Sequence, residues 1–236
     1  MVSSSPGAAA WRVTEAGDRA LLVRAAPGAD PAGRVLGALA ALEASRPPEV
    51  VDLVPSRAAL LVVYEPRSTT CAAVRRWLAA RLRGAIPVAA AARELEVPVL
   101  YDTRAGLDLE TVAAEIGTDV AGVVSLHTGR PYRVEMLGFK PGFPYMAEVD
   151  PRLRVPRLPA PRPRVPAGSV AIAGEQTGIY PVACPGGWRV LGRTPWRIFD
   201  PSAAEPFRFR PGDRVRFVPI GRSEFERVSG DAEVPK

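Results

Sequence analysis

The chain has 236 residues, 47% of them hydrophobic and 24% charged, which excludes a disordered chain or a fibre and leaves room for one or two domains. Its 31 basic and 25 acidic residues give a net charge of +6. Two cysteines, Cys71 and Cys184, and the single histidine, His127, exclude a disulfide framework, a Cys-x-x-Cys zinc or redox site and a histidine-rich metal centre.

The first elements alternate. Residues 11–14 and 20–24 read as short strands around a Gly17-Asp18 turn. Pro31 opens a helical pattern through residue 44, with Val35, Leu36, Leu39 and Leu42 on one face, and Pro47-Pro48 ends it. Strands follow at 50–54 and 60–64. A second helix is expected over 68–83, capped by Ser68, with Val74, Trp77, Leu78 and Leu82 as its buried stripe. The order β-β-α-β-β-α predicts a small α+β domain over residues 10–93, a sheet covered on one face by two helices. Residues 1–9 are expected to be a flexible tail, and AIPVAAAARE (85–94) a link.

The pattern then changes. A strand is expected at 95–101, and short helices at 108–116 and 119–126, each opened by an aspartate able to cap free N–H groups. Of the 26 prolines, 16 lie between Pro131 and Pro219. Short strands at 132–137, 169–173, 179–183, 189–191, 207–210 and 214–218 predict an all-β barrel or sandwich, so residues 94–222 form a second, β-barrel domain. Residues 223–236 are polar and read as a flexible tail.

No apolar run reaches the ~18 residues of a membrane span. The start, MVSSSPGAAA, lacks the basic and apolar stretches of a secretory signal, so the expected location is the cytoplasm, with no membrane partner. Arginine makes up 29 of the 31 basic residues, and the excess is concentrated in a proline-rich stretch without interleaved aromatics, which argues against a nucleic-acid partner. No Gly-x-x-x-x-Gly-Lys-Ser/Thr phosphate loop is present.

Chemistry concentrates in four places. The run Gly138-Phe139-Lys140-Pro141-Gly142-Phe143-Pro144-Tyr145 is too rich in glycine and proline for a helix or a central strand; it is either an aromatic pocket wall or a plug for one end of the barrel. Four glycine turns, around Gly168, Gln176-Thr177-Gly178, Gly186 and Gly192-Arg193, set donors beside flexible backbone, as an oxyanion or carboxylate site requires. Arg152, Arg154, Arg157, Arg162 and Arg164 offer bidentate anion recognition or a solvated loop. His127 is either a general base or a cation at a helix C-terminus. Ser125 and Ser169 exist, yet no Ser-His-Asp pattern is visible, and Cys184 reads as an inert buried thiol.

The run HTGRPYRVEMLGFKPGFPYM (127–146), followed by LPAPRPRVPAGSVAIAGEQTGIYP and PGGWRVLGRTP, resembles the family of the 5-oxoprolinase B subunit, also described as allophanate hydrolase subunit 1, as a sporulation kinase-inhibitor family and as the carboxyltransferase domain, subdomains C and D. The strong match covers about residues 127–220. The resemblance implies a small N-terminal α+β domain followed by a cyclophilin-like β-barrel. It also implies one component of a heteromeric hydrolase that acts with homologues of the 5-oxoprolinase A and C subunits to open 5-oxoproline to glutamate. ATP is then a co-substrate, with magnesium, and no tightly bound cofactor or structural metal is expected. By motif position it implies His127 as catalytic residue, and Phe139, Pro141, Gly142, Phe143, Gly168, Gln176, Thr177, Gly178, Tyr180 and Arg193 as substrate-binding residues. Lys140 and Cys184 fall where the pattern makes no demand. Two alternatives stay open: an inhibitor that docks on a sensor histidine kinase, and one component of a urea- or allophanate-type amidolyase. A cyclophilin-like fold by itself implies no isomerase activity.

Overall fold

In the computed structural model the described residues are 11–28, 30–83 and 93–231, and the chain divides into two compact units, Met1–Ala91 and Ala92–Lys236. The expected tail 1–9 and most of the link 85–94 lie outside the described residues.

The first unit holds strands β1 (Trp11–Glu15), β2 (Ala20–Ala25), β3 (Val50–Pro55) and β4 (Ala59–Tyr64), an antiparallel sheet in the order β1-β2-β4-β3. Helices α1 (Pro31–Glu43) and α2 (Cys71–Leu82) pack against it, and Leu21, Val23, Val35, Leu42, Leu60, Val62 and Leu78 form the core between them. Alternation explains the sheet face: Leu21 and Val23 on β2, and Leu60 and Val62 on β4, point to one side of the pleat. Asp30 caps α1 through Gly33 N at 2.8 Å. The cap of α2 is Thr70, through Ala73 N at 3.2 Å, and not the expected Ser68. The N–H of Ser68 instead bonds Glu65 O in the preceding turn.

The second unit is built on a seven-stranded sheet in the order β12-β9-β10-β7-β6-β13-β5. The strands are β5 (Glu94–Val99), β6 (Tyr132–Leu137), β7 (Pro144–Ala147), β9 (Ser169–Ala173), β10 (Gln176–Ile179), β12 (Arg189–Arg193) and β13 (Arg214–Pro219). Its two outer strands meet where Leu100 and Arg193 exchange backbone hydrogen bonds of 2.8 and 3.0 Å, so the sheet curls into a nearly closed barrel. β8 (Arg162–Val165) and β11 (Cys184–Gly186) form a separate two-stranded sheet.

The unit is mixed, because helices α3 (Leu109–Glu115), α4 (Val120–Thr128) and α5 (Arg222–Asp231) accompany the barrel; the all-β expectation is too narrow. The segment expected to be a loose tail from residue 223 forms α5, which starts beside an Arg222–Asp102 ion pair. Four strands occupy stretches read as loops or turns: β7 and β8, which respect proline's missing donor, and β10 and β11, of which β10 shares only Ile179 with the strand expected at 179–183. Pro144 is the first residue of β7, and Pro163 sits in a two-stranded sheet where few ladder bonds are needed. Conversely, the strand expected at 207–210 is reduced to a single bridge between Phe199 and Phe207.

Candidate functional site

His127 lies at the end of α4 and is completely buried. Its Nδ1 stands 2.7 Å from the Tyr101 hydroxyl and its Nε2 2.9 Å from Thr177 Oγ1, while the ring stacks on Phe217 at 4.6 Å. Thr177 spends its one hydroxyl proton on Ala171 O, a pure acceptor, at 3.1 Å. The hydroxyl oxygen therefore accepts from Nε2–H, and Nδ1 accepts from Tyr101, an assignment that follows from the hydrogen-bond network. Every polar atom of this chain of groups is satisfied with the imidazole neutral. Burial lowers the His127 pKa to about 3 and pushes Tyr101 well above the phenol range. Of the two readings open for His127, general base and structural group at a helix end, these bonds favour the structural one, because both ring nitrogens are bonded to core side chains. Thr177, expected to bind substrate, is its buried partner.

A second group of expected residues builds an aromatic cluster. Phe143 is buried and lies 4.8, 5.2 and 5.4 Å, ring to ring, from Tyr145, Tyr180 and Trp188. The arrangements are largely edge-to-face, the favoured geometry for aromatic pairs. Gly178 makes the cluster possible: a Cβ there would stand 2.8 Å from the Phe143 ring and 2.9 Å from Pro144 O. Gln176 is half-buried on β10 between Ala147 and Ala173. Pro141 is exposed, and Phe139 is 57% exposed at a φ of 62°. Gly142, at φ 82°, turns the chain against Phe199 and Phe207. Cys184 is buried and its thiol is pushed up by burial, as expected of an inert group.

Only Gly168 and Arg193 of the expected set line a cavity of about 730 Å³ in this unit. Gly168 adopts φ 80° and passes so close to the next strand that a Cβ would stand 2.5 Å from Thr194 O. Arg193 donates Nε–H to Ala167 O at 2.8 Å, and its two terminal nitrogens meet no protein acceptor among the described residues. The other walls include Val182, Trp196, Phe199 and Phe225, and Arg197 sits at the rim, paired with Asp200 at 3.0 Å. The Arg208 guanidinium lies over the Trp196 ring at 4.0 Å. The cavity therefore combines one uncommitted guanidinium with flat apolar faces, a combination suited to an organic anion.

The arginine-rich stretch is used structurally. Arg162 makes a bidentate pair with Asp108 at 2.8 Å to each oxygen, and Asp108, 3% exposed, also accepts from Val190 N. Arg154 pairs with Glu175, Arg152 with Asp150, and Arg157 lies over Trp188. Among the described residues no three His, Cys, Asp or Glu side chains gather to hold a metal ion, and no helix is long and apolar enough to cross a membrane.

Sequence reasoning missed Trp196, Phe199 and Phe225. Trp196 follows the Gly192-Arg-Thr-Pro195 turn by one residue and could have been taken with it. Phe225 and Val228, three apart in a charged segment, were a faint signal of a helix with one apolar edge.

Comparison with known proteins adds the family. The family described as carboxyltransferase domain, subdomain C and D, matches residues 11–209. The chain belongs to that family. It is 43% identical over 173 residues to the B subunit of 5-oxoprolinase from Escherichia coli O157:H7, spanning 73% of this chain and 79% of that protein. It is 36% identical over 228 residues to the B subunit of 5-oxoprolinase from Bacillus subtilis, spanning 91% and 95%. Among solved structures, TTHA0988 superposes with a TM-score of 0.76 at 44% identity over 86% of this chain, which spans 40% of that longer chain. The urea carboxylase of Kluyveromyces lactis superposes with a TM-score of 0.72 over 98% of this chain and 24% of its own, at 21% identity, a likeness of fold alone.

Proposed function

We propose that this chain is the B subunit of a heteromeric 5-oxoprolinase, which opens 5-oxo-L-proline to L-glutamate with ATP hydrolysis, in the cytoplasm and together with homologues of the A and C subunits. The single observation that carries this reading is the 36 to 43% identity to proteins named as B subunits of 5-oxoprolinase, over most of the chain. The barrel of residues 94–222 is the cyclophilin-like domain of such a protein.

The cavity supports the binding half of the task. The lactam acid carries a carboxylate on a small flat ring. Arg193 offers two free terminal nitrogens in a planar fork, the geometry that a carboxylate accepts in bidentate fashion. Trp196, Phe199 and Phe225 give the ring apolar faces. The amide itself is resonance-stabilised, so transfer of a phosphoryl group from ATP to its oxygen makes the carbon a better target for water. Water adds, the C–N bond breaks with a proton taken up at nitrogen to leave an acyl phosphate, and a second water cleaves that acyl phosphate to glutamate and phosphate. Magnesium accompanies ATP as part of that co-substrate. The described residues gather no carboxylate cluster for it, and what this chain offers an anionic ligand is guanidinium charge. In this account His127 holds α4 and β10 together inside the barrel and positions the walls, while the contact to substrate falls to Arg193.

The test is 5-oxoproline-dependent ATP hydrolysis, with glutamate detected, for this chain alone and with candidate A and C partners. Activity confined to the full mixture is the expected result. A verified complex that hydrolyses no ATP in response to 5-oxoproline overturns the reading.

A further inference from the structure

The family match ends at residue 209, yet the cavity does not. Phe225 and Ser229 of α5 form part of its wall, together with Pro181, Val182 and Phe199 from the barrel side. α5 is a mostly polar helix in which, among residues 222–229, Phe225, Val228 and Ser229 are half-buried, and Phe225 and Ser229 of that edge meet the cavity. Its start is held by the Arg222–Asp102 pair and by Phe225 N, which bonds Gly221 O at 3.0 Å. At about 730 Å³ the space, partly open to solvent, falls within the range of small-molecule sites, and Phe225 is one of its walls. Arg193 anchors one side of that space on the rigid β12, whereas α5 is a separate element added to it.

We propose that α5 is the specificity-setting wall of this site: Arg193 holds the anionic group of a flat organic acid, and Phe225 limits how large a ring system is accepted beside it. The inference rests on the cavity being the substrate site of the proposed 5-oxoprolinase component. It differs in assigning the choice among acids to a helix outside the matched family region. Exchanging Phe225 for a smaller side chain enlarges the cavity that Arg193 also lines without altering Arg193 itself. A larger acid then gains room, and a small one loses its apolar contact.

The experiment is calorimetric titration of the full chain with two acids that each carry a carboxylate on the carbon beside a ring N–H: 5-oxoproline and the larger, flat indole-2-carboxylate. Phe225→Ala is expected to shift the ratio of the two dissociation constants about tenfold toward the larger acid, with Phe225→Leu in between. Arg193→Ala is expected to weaken both acids about tenfold or more and to leave their ratio unchanged. A helical circular-dichroism signal equal to wild type shows that α5 is still formed in each variant. An unchanged ratio in Phe225→Ala, or no binding of either acid to the wild-type chain at millimolar concentration, overturns the proposal. Because the titration needs neither ATP nor the A and C partners, it can fail while the reconstituted activity stands, and it can succeed where that activity is absent.

Discussion

Two regions of the barrel unit treat polar groups in opposite ways. Around His127, every donor meets an acceptor: Tyr101, Thr177 and the Ala171 carbonyl close one continuous chain, and the Tyr132 hydroxyl donates to His127 O at 2.7 Å. Around the cavity, Arg193 keeps two terminal nitrogens uncommitted beside half-buried aromatic surface. A satisfied buried network stabilises one conformation and has nothing left to give a ligand. An exposed guanidinium beside a concave apolar surface keeps its donors available to an anion. In this chain a rare, chemically versatile side chain is a weaker guide to a site than an incomplete set of partners.

The comparison can be broken hardest at Gly178, where the closed side of the barrel has no space. Gly178→Val drives new atoms into Phe143 and Pro144 O, already 2.8 and 2.9 Å from an ideal Cβ. The expected loss is about 3 kcal/mol or more, seen as a fall in melting temperature of about 10 °C or loss of a cooperative transition. Asp108→Ala is next. It strands Arg162 and the Val190 N–H around a residue that is 3% exposed, and the cost expected from chemical denaturation is about 3 kcal/mol.

His127 gives a signature in pH. Its folded pKa of about 3 lies below the ordinary 6.5, so between those values the unfolded chain binds the extra proton and stability falls as pH is lowered. The His127 share of that loss has a limiting slope of about 1.4 kcal/mol per pH unit. His127→Gln, which cannot titrate, should flatten the acid limb of a plot of stability against pH while lowering stability at neutral pH. An unaltered acid limb would contradict the burial argument. The smallest effect belongs to the open side. Phe139→Asn removes edge contacts to Phe143 and Tyr180 and places a residue tolerant of positive φ at 62°, so the net change expected from thermal melts is within about 1 kcal/mol.

Much of the first unit was legible because period-2 and period-3.6 patterns do their work locally. The α1 stripe of Val35, Leu36 and Leu42 and the Leu60, Val62 and Tyr64 alternation of β4 both appear in the core. The second unit was legible in its strands at 132–137 and 169–173, which coincide with β6 and β9. It was not legible where partners far apart in the chain decide. β7 exists because β6 and β10 flank it, although its own residues read as a loop, and α5 is polar along nearly all its length. The site followed the same rule. Motif position singled out Gly168 and Arg193, but it grouped them with Phe143 and Thr177, whose side chains pack inward. Whether a donor finds an acceptor depends on which strands become neighbours, and no local pattern records that.

The most direct test compares Arg193→Ala with His127→Gln in the reconstituted complex at neutral pH, each at a temperature well below its own melting transition. The account predicts that Arg193→Ala lowers kcat/KM for 5-oxoproline by about tenfold or more, with unchanged stability, and that His127→Gln stays within about threefold of wild type. A folded His127→Gln complex that loses turnover, beside an Arg193→Ala complex that keeps it, would contradict the account and return the chemistry to the buried imidazole.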